Sequence, residues 1–434
     1  MTSDLESKMA SPAFLLIVLA SISVMVSASP NKLTAESCTI TKYNADVILA
    51  AQAICNEITI KGISVTAGET LDLSQLKSGS KVIFDGTITW EYAEWRGPLL
   101  RISGEYIEVT GTADHVLDGR GHLWWDGLGG AGAKQKPRFF SPNGLNSSEI
   151  SNLYIKNTPI HVFQITNCDD LMIQNVTIDN RDGDTKGGHN TDGFDIGNSR
   201  NVTIRHSRVY NQDDCLAVKS GKNYHFLNNF CSGGHGISIG SVGNVSIESV
   251  YMLNSHVENS SNGIRIKTIY GEVGSVSNIL FENISFTNIT DYGIIIEADY
   301  LNGGPTGVPT GGVPITDLTI KNITGTVLET GSNVYVLVKS ASNWKCSEID
   351  ITGGKVTKEC QGIPPDSVDS PKFELLQKPC QMEFGAKQDS SGFLGMLRIE
   401  CRLKQRVFSQ LLQKWKFPRT WSLAPVQLQS LRNP

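Results

Sequence analysis

Charge is scarce in this 434-residue sequence: only 19% of the residues are Asp, Glu, Lys or Arg, below the roughly 25% of ordinary soluble domains. No excess of one sign compensates. Thirty-eight basic residues against 43 acidic ones leave a net charge of −5, which excludes the broad basic surface of a nucleic-acid binder. Long apolar runs are also missing. The longest, Ala13 to Val26, falls short of the roughly 20 residues that span a bilayer. No convincing helical period appears between the short apolar runs, which reads them as strands. Disorder is excluded as well, because aromatics reach 8% and Val and Ile are plentiful.

The apolar run is followed by small residues, Val26-Ser27-Ala28, the pattern that signal peptidase accepts. The expectation is a signal peptide over residues 1–28 and a secreted product with no membrane contact after cleavage, although Asp4 and Glu6 outnumber Lys8 ahead of the run. Glycine is abundant at 42 residues, and there are nine cysteines, an odd number. At least one cysteine therefore lacks a partner within the chain, and Cys168 is the candidate free thiol. Eight Asn-x-Ser/Thr sequons, at Asn146, Asn175, Asn201, Asn244, Asn259, Asn283, Asn288 and Asn322, mark possible glycan sites. Several sit inside β-like runs and read as structural asparagines first.

Short β-branched runs recur at Ile107–Leu117, Ile150–Ile155, Leu171–Ile178, Asn201–Ile204, Asn244–Ile247, Ile279–Phe286 and Leu318–Thr324. Each is bounded by Asn, Asp, Ser or Gly, and their starts lie about 20 to 45 residues apart, a period that suits stacked solenoid coils better than a β-sandwich. The predicted fold is all-β, a right-handed parallel β-helix with a short N-terminal capping helix. Asparagines at its turns can hydrogen-bond along the axis. The cap is placed at Asn44–Ile54, with Asn44 as N-cap. Three segments follow: the signal peptide 1–28, a β-helix domain over 29–388, and a basic extension over 389–434. The extension holds eight basic residues against two acidic ones, so residues 29–388 carry −10. Its apolar spacing from Met396 to Phe417 reads as helical.

Four segments concentrate polar residues: Gly187–Asp195, Asn211–Cys215, Ser232–Gly240 and Gly263–Lys267. Asp192 and Asp214 are 22 residues apart, Asp213 and His235 are 22, and Asp214 and His235 are 21. In a solenoid of such coils these positions stack about 4.8 Å apart. Adjacent carboxylates at 213 and 214 point to one site only across a turn or bulge. Crowded carboxylates repel, so at least one keeps its proton to higher pH, as acid–base hydrolysis of a glycoside requires. Solvated turns or a calcium site are the plainer alternatives. Arg265 and Lys267 alternate by two and share a strand face, as ion-pair partners of the acids or as a grip for a substrate carboxylate. His189 reads as a loop-ordering side chain, and Trp124 and Trp125 as core more than sugar platforms.

These segments resemble those of polygalacturonases, pectin-degrading glycoside hydrolases of the fungal and insect endo-acting type. The matches are Gly188-His-Asn-Thr-Asp-Gly-Phe-Asp195, Asn211-Gln-Asp-Asp-Cys215, Gly233-Gly-His-Gly236 and Arg265-Ile-Lys267, with support from Glu94–Pro98, Trp124–Gly127, Asn157–Pro159 and Tyr292–Tyr300. The resemblance covers about residues 38 to 362. It implies an endo-acting hydrolase of α-1,4-linked galacturonan that inverts the anomeric centre. Asp213 resembles the general acid, and Asp192 and Asp214 the pair that activates water. His235 is similar to a histidine that tunes the acid or assists binding. Arg265, Lys267 and Tyr300 look like the residues that hold the galacturonate at the cleavage site. Disulfides Cys38–Cys55 and Cys215–Cys231 are implied too, with Cys360–Cys380 as a further possible pair. The resemblance implies no metal, no cofactor and a monomer whose partner is pectin or polygalacturonate. An exo-acting or rhamnogalacturonan-cleaving relative, a catalytically silent pectin binder and a calcium-dependent pectate lyase are the rival readings. Two departures stand out: a short connection after Gly240-Ser-Val-Gly243, beside the expected cleft, and an unfamiliar chain end beyond Cys360.

Overall fold

The computed structural model describes residues 38–301, 304–365 and 367, with the strand backbones Met382–Gly385 and Met396–Ile399. Residues 1–28, Cys380, Cys401 and most of 389–434 lie outside the described residues. The strands of the main body pair in parallel, each with the strand one coil before and one coil after it. The result is the expected right-handed parallel β-helix.

Three inward columns make the core. One runs in register Leu71, Leu100, Phe140, Phe163, Phe194, Leu216, Ile237, Ile264, Ile294 and Val334. A second includes Ile150, Ile173, Ile204, Phe226, Met252, Phe281 and Ile320. A third includes Ile155, Ile178, Val209, Cys231, Val257 and Phe286. All of these side chains are buried. The position after Phe286 in the third column is Gly325. A Cβ there would meet the Phe286 ring at 2.2 Å, so only glycine fits. Phe163 lies between Phe140 and Phe194, with ring centroids 4.9 and 5.1 Å away. Phe163→Ala is expected to reduce stability by about 3–5 kcal/mol. Urea unfolding measures it, and a loss below about 1 kcal/mol would mean that the column collapses around the gap.

The runs read from sequence prove to be longer or shorter than single strands. Leu171–Ile178 contains a corner: Asp169–Gln174 and Thr177–Asp179 are separate strands, and Asn175 between them has φ +53°. Ile107–Leu117 likewise holds two strands, Glu108–Gly111 and Val116–Asp118. Apolar residues continue around such corners because both flanking strands face the same core, so periodicity does not reveal the bend.

The corners explain the asparagines. Asn175, Asn201, Asn283, Asn288 and Asn322 have φ between +50° and +56°, a region that Asn tolerates better than most residues with a Cβ. Their side chains stack. Asn322 Nδ2 donates to Asn283 Oδ1 at 2.7 Å, Asn283 to Asn254 at 2.9 Å, and Asn223 to Asn201 at 2.6 Å.

The N-terminal end is covered by the helix Ala45–Ile54, where Val47 N donates to the Asn44 side chain at 3.0 Å. Ile48, Ala51 and Gln52 face inward. Gln52 bonds Asp72 O and Gln75 N, tying the helix to the first coils. The disulfide Cys38–Cys55 closes this cap, and Cys215–Cys231 joins adjacent coils of the middle. Cys168 is free and buried, as expected; among the described residues Cys346 and Cys360 are free too. In the extension, the helix-like spacing fails at its start: Met396–Ile399 is a strand, antiparallel to Met382–Gly385. So short an apolar segment fits either period.

Candidate active site

The site stands on the outward face of four successive strands: Phe194–Gly197, Asp214–Val218, Gly236–Val242 and Asn262–Ile269. A fifth, Tyr292–Tyr300, continues it. Alternation sends Ile264 and Ile266 to the core and Arg265 and Lys267 outward.

Coil stacking brings the distant acids together. Gly193 N donates to Asp214 O at 2.9 Å and His235 N to Asp213 O at 2.9 Å, so the 22-residue spacing is one coil here. A bulge follows the paired acids: Asp214 is opposite Gly236 but Leu216 is opposite Ile237. Buried Asn211 stabilises this kink, its Nδ2 lying 2.9–3.0 Å from the carbonyls of Thr191, Asp213 and Asp214. Gly234, at φ +58°, lets the next coil pass close; a Cβ there would sit 2.0 Å from Asp213 O.

Each acid has its own surroundings. Asp213 Oδ1 lies 3.0 Å from His235 Nδ1 and accepts from Asp214 N at 2.7 Å, while Asn190 Nδ2 donates to Oδ2 at 2.9 Å. Burial pushes the Asp213 carboxyl up, but the His235 hydrogen bond and charge outweigh it and hold the group well below the ordinary 3.8. His235 moves the other way. Burial disfavours its charge, yet Asp213 raises it above 6.5. Asp214 accepts from Lys267 Nζ at 2.8 Å and Ser238 Oγ at 2.6 Å.

Asp192 differs from both. Its Oδ1 is buried without a hydrogen-bond partner, 3.9 Å from His161 Nε2. Burial first, then Asp195, Asp213 and Asp214, push its carboxyl well above 3.8. The acid expected to keep its proton is therefore Asp192. Asp195 shares the burial but is held low by His161 Nδ1 at 2.6 Å and Lys219 Nζ at 3.2 Å.

Arg265 and Lys267 are both ion-paired. Arg265 Nη2 reaches Glu297 Oε1 at 2.6 Å and Lys267 reaches Asp214. Tyr300 lies between them, its ring centroid 5.3 Å from Arg265 Cζ and 5.4 Å from Lys267 Nζ. A groove of about 580 Å³ adjoins His235, lined by Arg181, Tyr210, Gln212, Ser232 and Asn259 among others. Trp124 and Trp125 belong to the interior, donating to Ala93 O and Thr158 O. His189 is half-buried beside the Gly129 backbone, in keeping with a loop-ordering side chain.

Sequence reasoning did not single out Asp195, His161, Lys219 and Glu297. Asp195 sits inside a segment already marked, and Glu297 interrupts an isoleucine-rich strand, where a buried acid is itself a signal. His161 could not be found by spacing, because Phe163 and Phe194 are in register at 31 residues, not 22. Among the described residues, two groups have donor atoms close enough for a metal ion, His161–Asp192–Asp195 and Asp213–Asp214–His235. Lys219 and Lys267 already bring positive charge to both.

Carboxyls whose proton affinities are driven apart, on a face long enough to seat a polymer, suit acid–base cleavage between linked sugars. The molecule is a β-helical glycoside hydrolase. More narrowly, it belongs to glycosyl hydrolases family 28, whose profile matches residues 55–371. It is 49% identical over 353 residues to a polygalacturonase of Cochliobolus carbonum, covering 80% of this chain and 96% of that one. Endopolygalacturonase A of Aspergillus niger is 48% identical over 364 residues, 82% of this chain and 97% of its own. Among solved structures, endopolygalacturonase I from Stereum purpureum, complexed with two galacturonates, superposes with TM-score 0.65 at 34% identity. The match covers 73% of this chain and 95% of that chain.

Proposed function

We propose that the chain is a secreted endo-polygalacturonase that hydrolyses α-1,4-galacturonosidic bonds of de-esterified pectin with inversion. The single observation that carries this reading is the convergence of Asp192, Asp213, Asp214 and His235 beside two cations and a tyrosine on one face. The high identity to named endopolygalacturonases supports the substrate and the endo mode.

In this reading Asp213 protonates the departing glycosidic oxygen. Before substrate binds, its proton resides on His235, since the pair shares one proton that Asp213 alone is too acidic to hold. Asp214 and Asp192 orient and deprotonate the attacking water, for which the unpartnered Asp192 Oδ1 is available. Arg265 keeps donors beyond those on Glu297, and with Lys267 and Tyr300 it holds the substrate carboxylate. No metal takes part, because Lys219 and Lys267 supply the positive charge among the carboxylates. Secretion follows from removal of residues 1–28, leaving the β-helix domain 29–388 and the extension 389–434 in a monomer.

Reducing-end release from polygalacturonate, with chromatography of early products, tests the reading. A ladder of oligomers is expected. Monomer alone would replace endo with exo cleavage, and no release would end the assignment.

A further inference from the structure

Among the described residues two lysines are buried, Lys267 and Lys136. Burying an ammonium is costly unless it is paired. Lys267 holds Asp214, whereas Lys136 has no part in the chemistry at the cleft. Its Nζ lies 2.9 Å from Asp126 Oδ2 and donates to Gly129 O at 2.8 Å, and its side chain is 2% exposed. Asp126 follows Trp124 and Trp125, whose ring nitrogens donate to Ala93 O and Thr158 O. Its Oδ1 accepts from Leu128 N at 2.9 Å. The segment from Asp126 to Lys136 is thus tied back on itself and fixed to the coils beneath.

The same segment reaches the acids through one amide. Gly130 N donates to Asn190 Oδ1 at 2.9 Å, and Asn190 Nδ2 donates to Asp213 Oδ2 at 2.9 Å. The first bond decides the second. An amide presents an acceptor on one side and donors on the other, so with Oδ1 held by a backbone N–H it is Nδ2 that meets Asp213. A flipped amide would set Oδ1 against the carboxylate, two acceptors with no proton between them. The approach is close: Gly129 has φ +54°, and a Cβ there would lie 2.1 Å from Asn190 Oδ1. Gly127 N also donates to Gly187 O at 2.9 Å, holding the segment against the loop that carries Asn190.

We infer that Lys136 and Asp126 are positioning residues: by fixing the Gly129–Gly130 backbone, they hold the Asn190 amide in the orientation that donates to the general acid Asp213. They act through Asn190 and not on the substrate. The inference rests on the proposed role of Asp213, and it gives the Trp124–Gly127 motif a task beyond packing.

A double-mutant cycle tests it. Lys136→Met is expected to lower kcat on polygalacturonate about ten- to a hundredfold, the effect of a small misplacement at the reacting groups. KM, and retardation in a gel containing polygalacturonate, should stay unchanged. Asn190→Gly removes the amide at a positive φ that glycine accepts and should cost at least as much. In the double variant kcat should be no lower than in Asn190→Gly alone. Gly129→Ala leaves the Lys136–Asp126 pair in place and should reproduce the kcat loss, so the test survives a Lys136→Met that does not fold. Multiplicative losses in the double variant, a raised KM with kcat kept, or wild-type kcat in Gly129→Ala would overturn the inference. If folded wild type is retarded in the gel but releases no reducing ends, the proposed activity falls. Urea midpoints of the same variants then decide whether the clamp acts through Asn190: sub-additive shifts uphold the coupling, and additive shifts end it.

Discussion

Asp213→Asn is expected to lower kcat on polygalacturonate by about 10²- to 10⁴-fold while retardation by the polymer persists. Reducing-end release measures the loss, and near-normal turnover would remove Asp213 from the role of general acid. The pH profile carries a sharper version of this prediction, because the cleft divides its protons unevenly. Asp192 holds its proton above 3.8, so a water-activating Asp192 becomes competent only as pH rises through that elevated value. This sets the acidic limb. His235 titrates above 6.5 because of Asp213. The proton shared by the pair is present below that value and lost as pH rises through it, which sets the alkaline limb.

The two limbs assign the roles. His235→Asn should shift or abolish the alkaline limb, and Asp192→Asn should leave that limb in place in whatever activity remains. If instead Asp192→Asn removes the alkaline limb, Asp192 is the proton donor and the assignment is reversed. Stability has matching signs. The lowered Asp213 contributes stability above 3.8, and that contribution is lost as pH falls through its folded value. The raised His235 contributes below 6.5, and its contribution is lost as pH rises through its folded value. Asp192 opposes Asp213 and runs in the same direction as His235: between 3.8 and its folded value the native state binds more protons than the unfolded chain, so stability falls with rising pH.

Lys267→Met should have the largest combined effect on folding and turnover. Lys267 and Asp214 are 2.8 Å apart with side-chain exposures of 7% and 1%, so removing the ammonium leaves a buried carboxylate whose remaining side-chain hydrogen bond, among the described residues, comes from Ser238 Oγ. Breaking such a pair costs about 3–5 kcal/mol. The deficit should be read by urea unfolding near neutral pH. Turnover should fall together with stability, since in the proposed reading the substituted cation also holds the substrate carboxylate. A stability loss below about 1 kcal/mol would mean that solvent or Lys219 replaces Lys267 as the counter-charge of Asp214.

Much of the fold was legible in the chain because a solenoid writes its architecture locally. Each coil contributes a short β-branched strand and an asparagine turn, and each contacts only its neighbours. The 22-residue interval between Asp213 and His235 is one coil, and the adjacent acids need the bulge at Asp214 that the strand register shows. Where coil length varies, the same logic fails. His161 joins Asp195 across a coil lengthened by the segment between Asn180 and Asn190, so no fixed interval links the two.

The sequence by itself determined the solenoid, its cap and the segments that meet on one face, because these depend on side-chain type and spacing along neighbouring coils. Only the tertiary structure decided where the protons sit. Net charge and motif lists treat Asp192, Asp213 and Asp214 alike. Burial without a partner raises the first, and His235 lowers the second. Tertiary structure also placed Glu297 against Arg265. Electrostatic energies fall off with distance and depend on local polarity, and both are set by which coil lies above which.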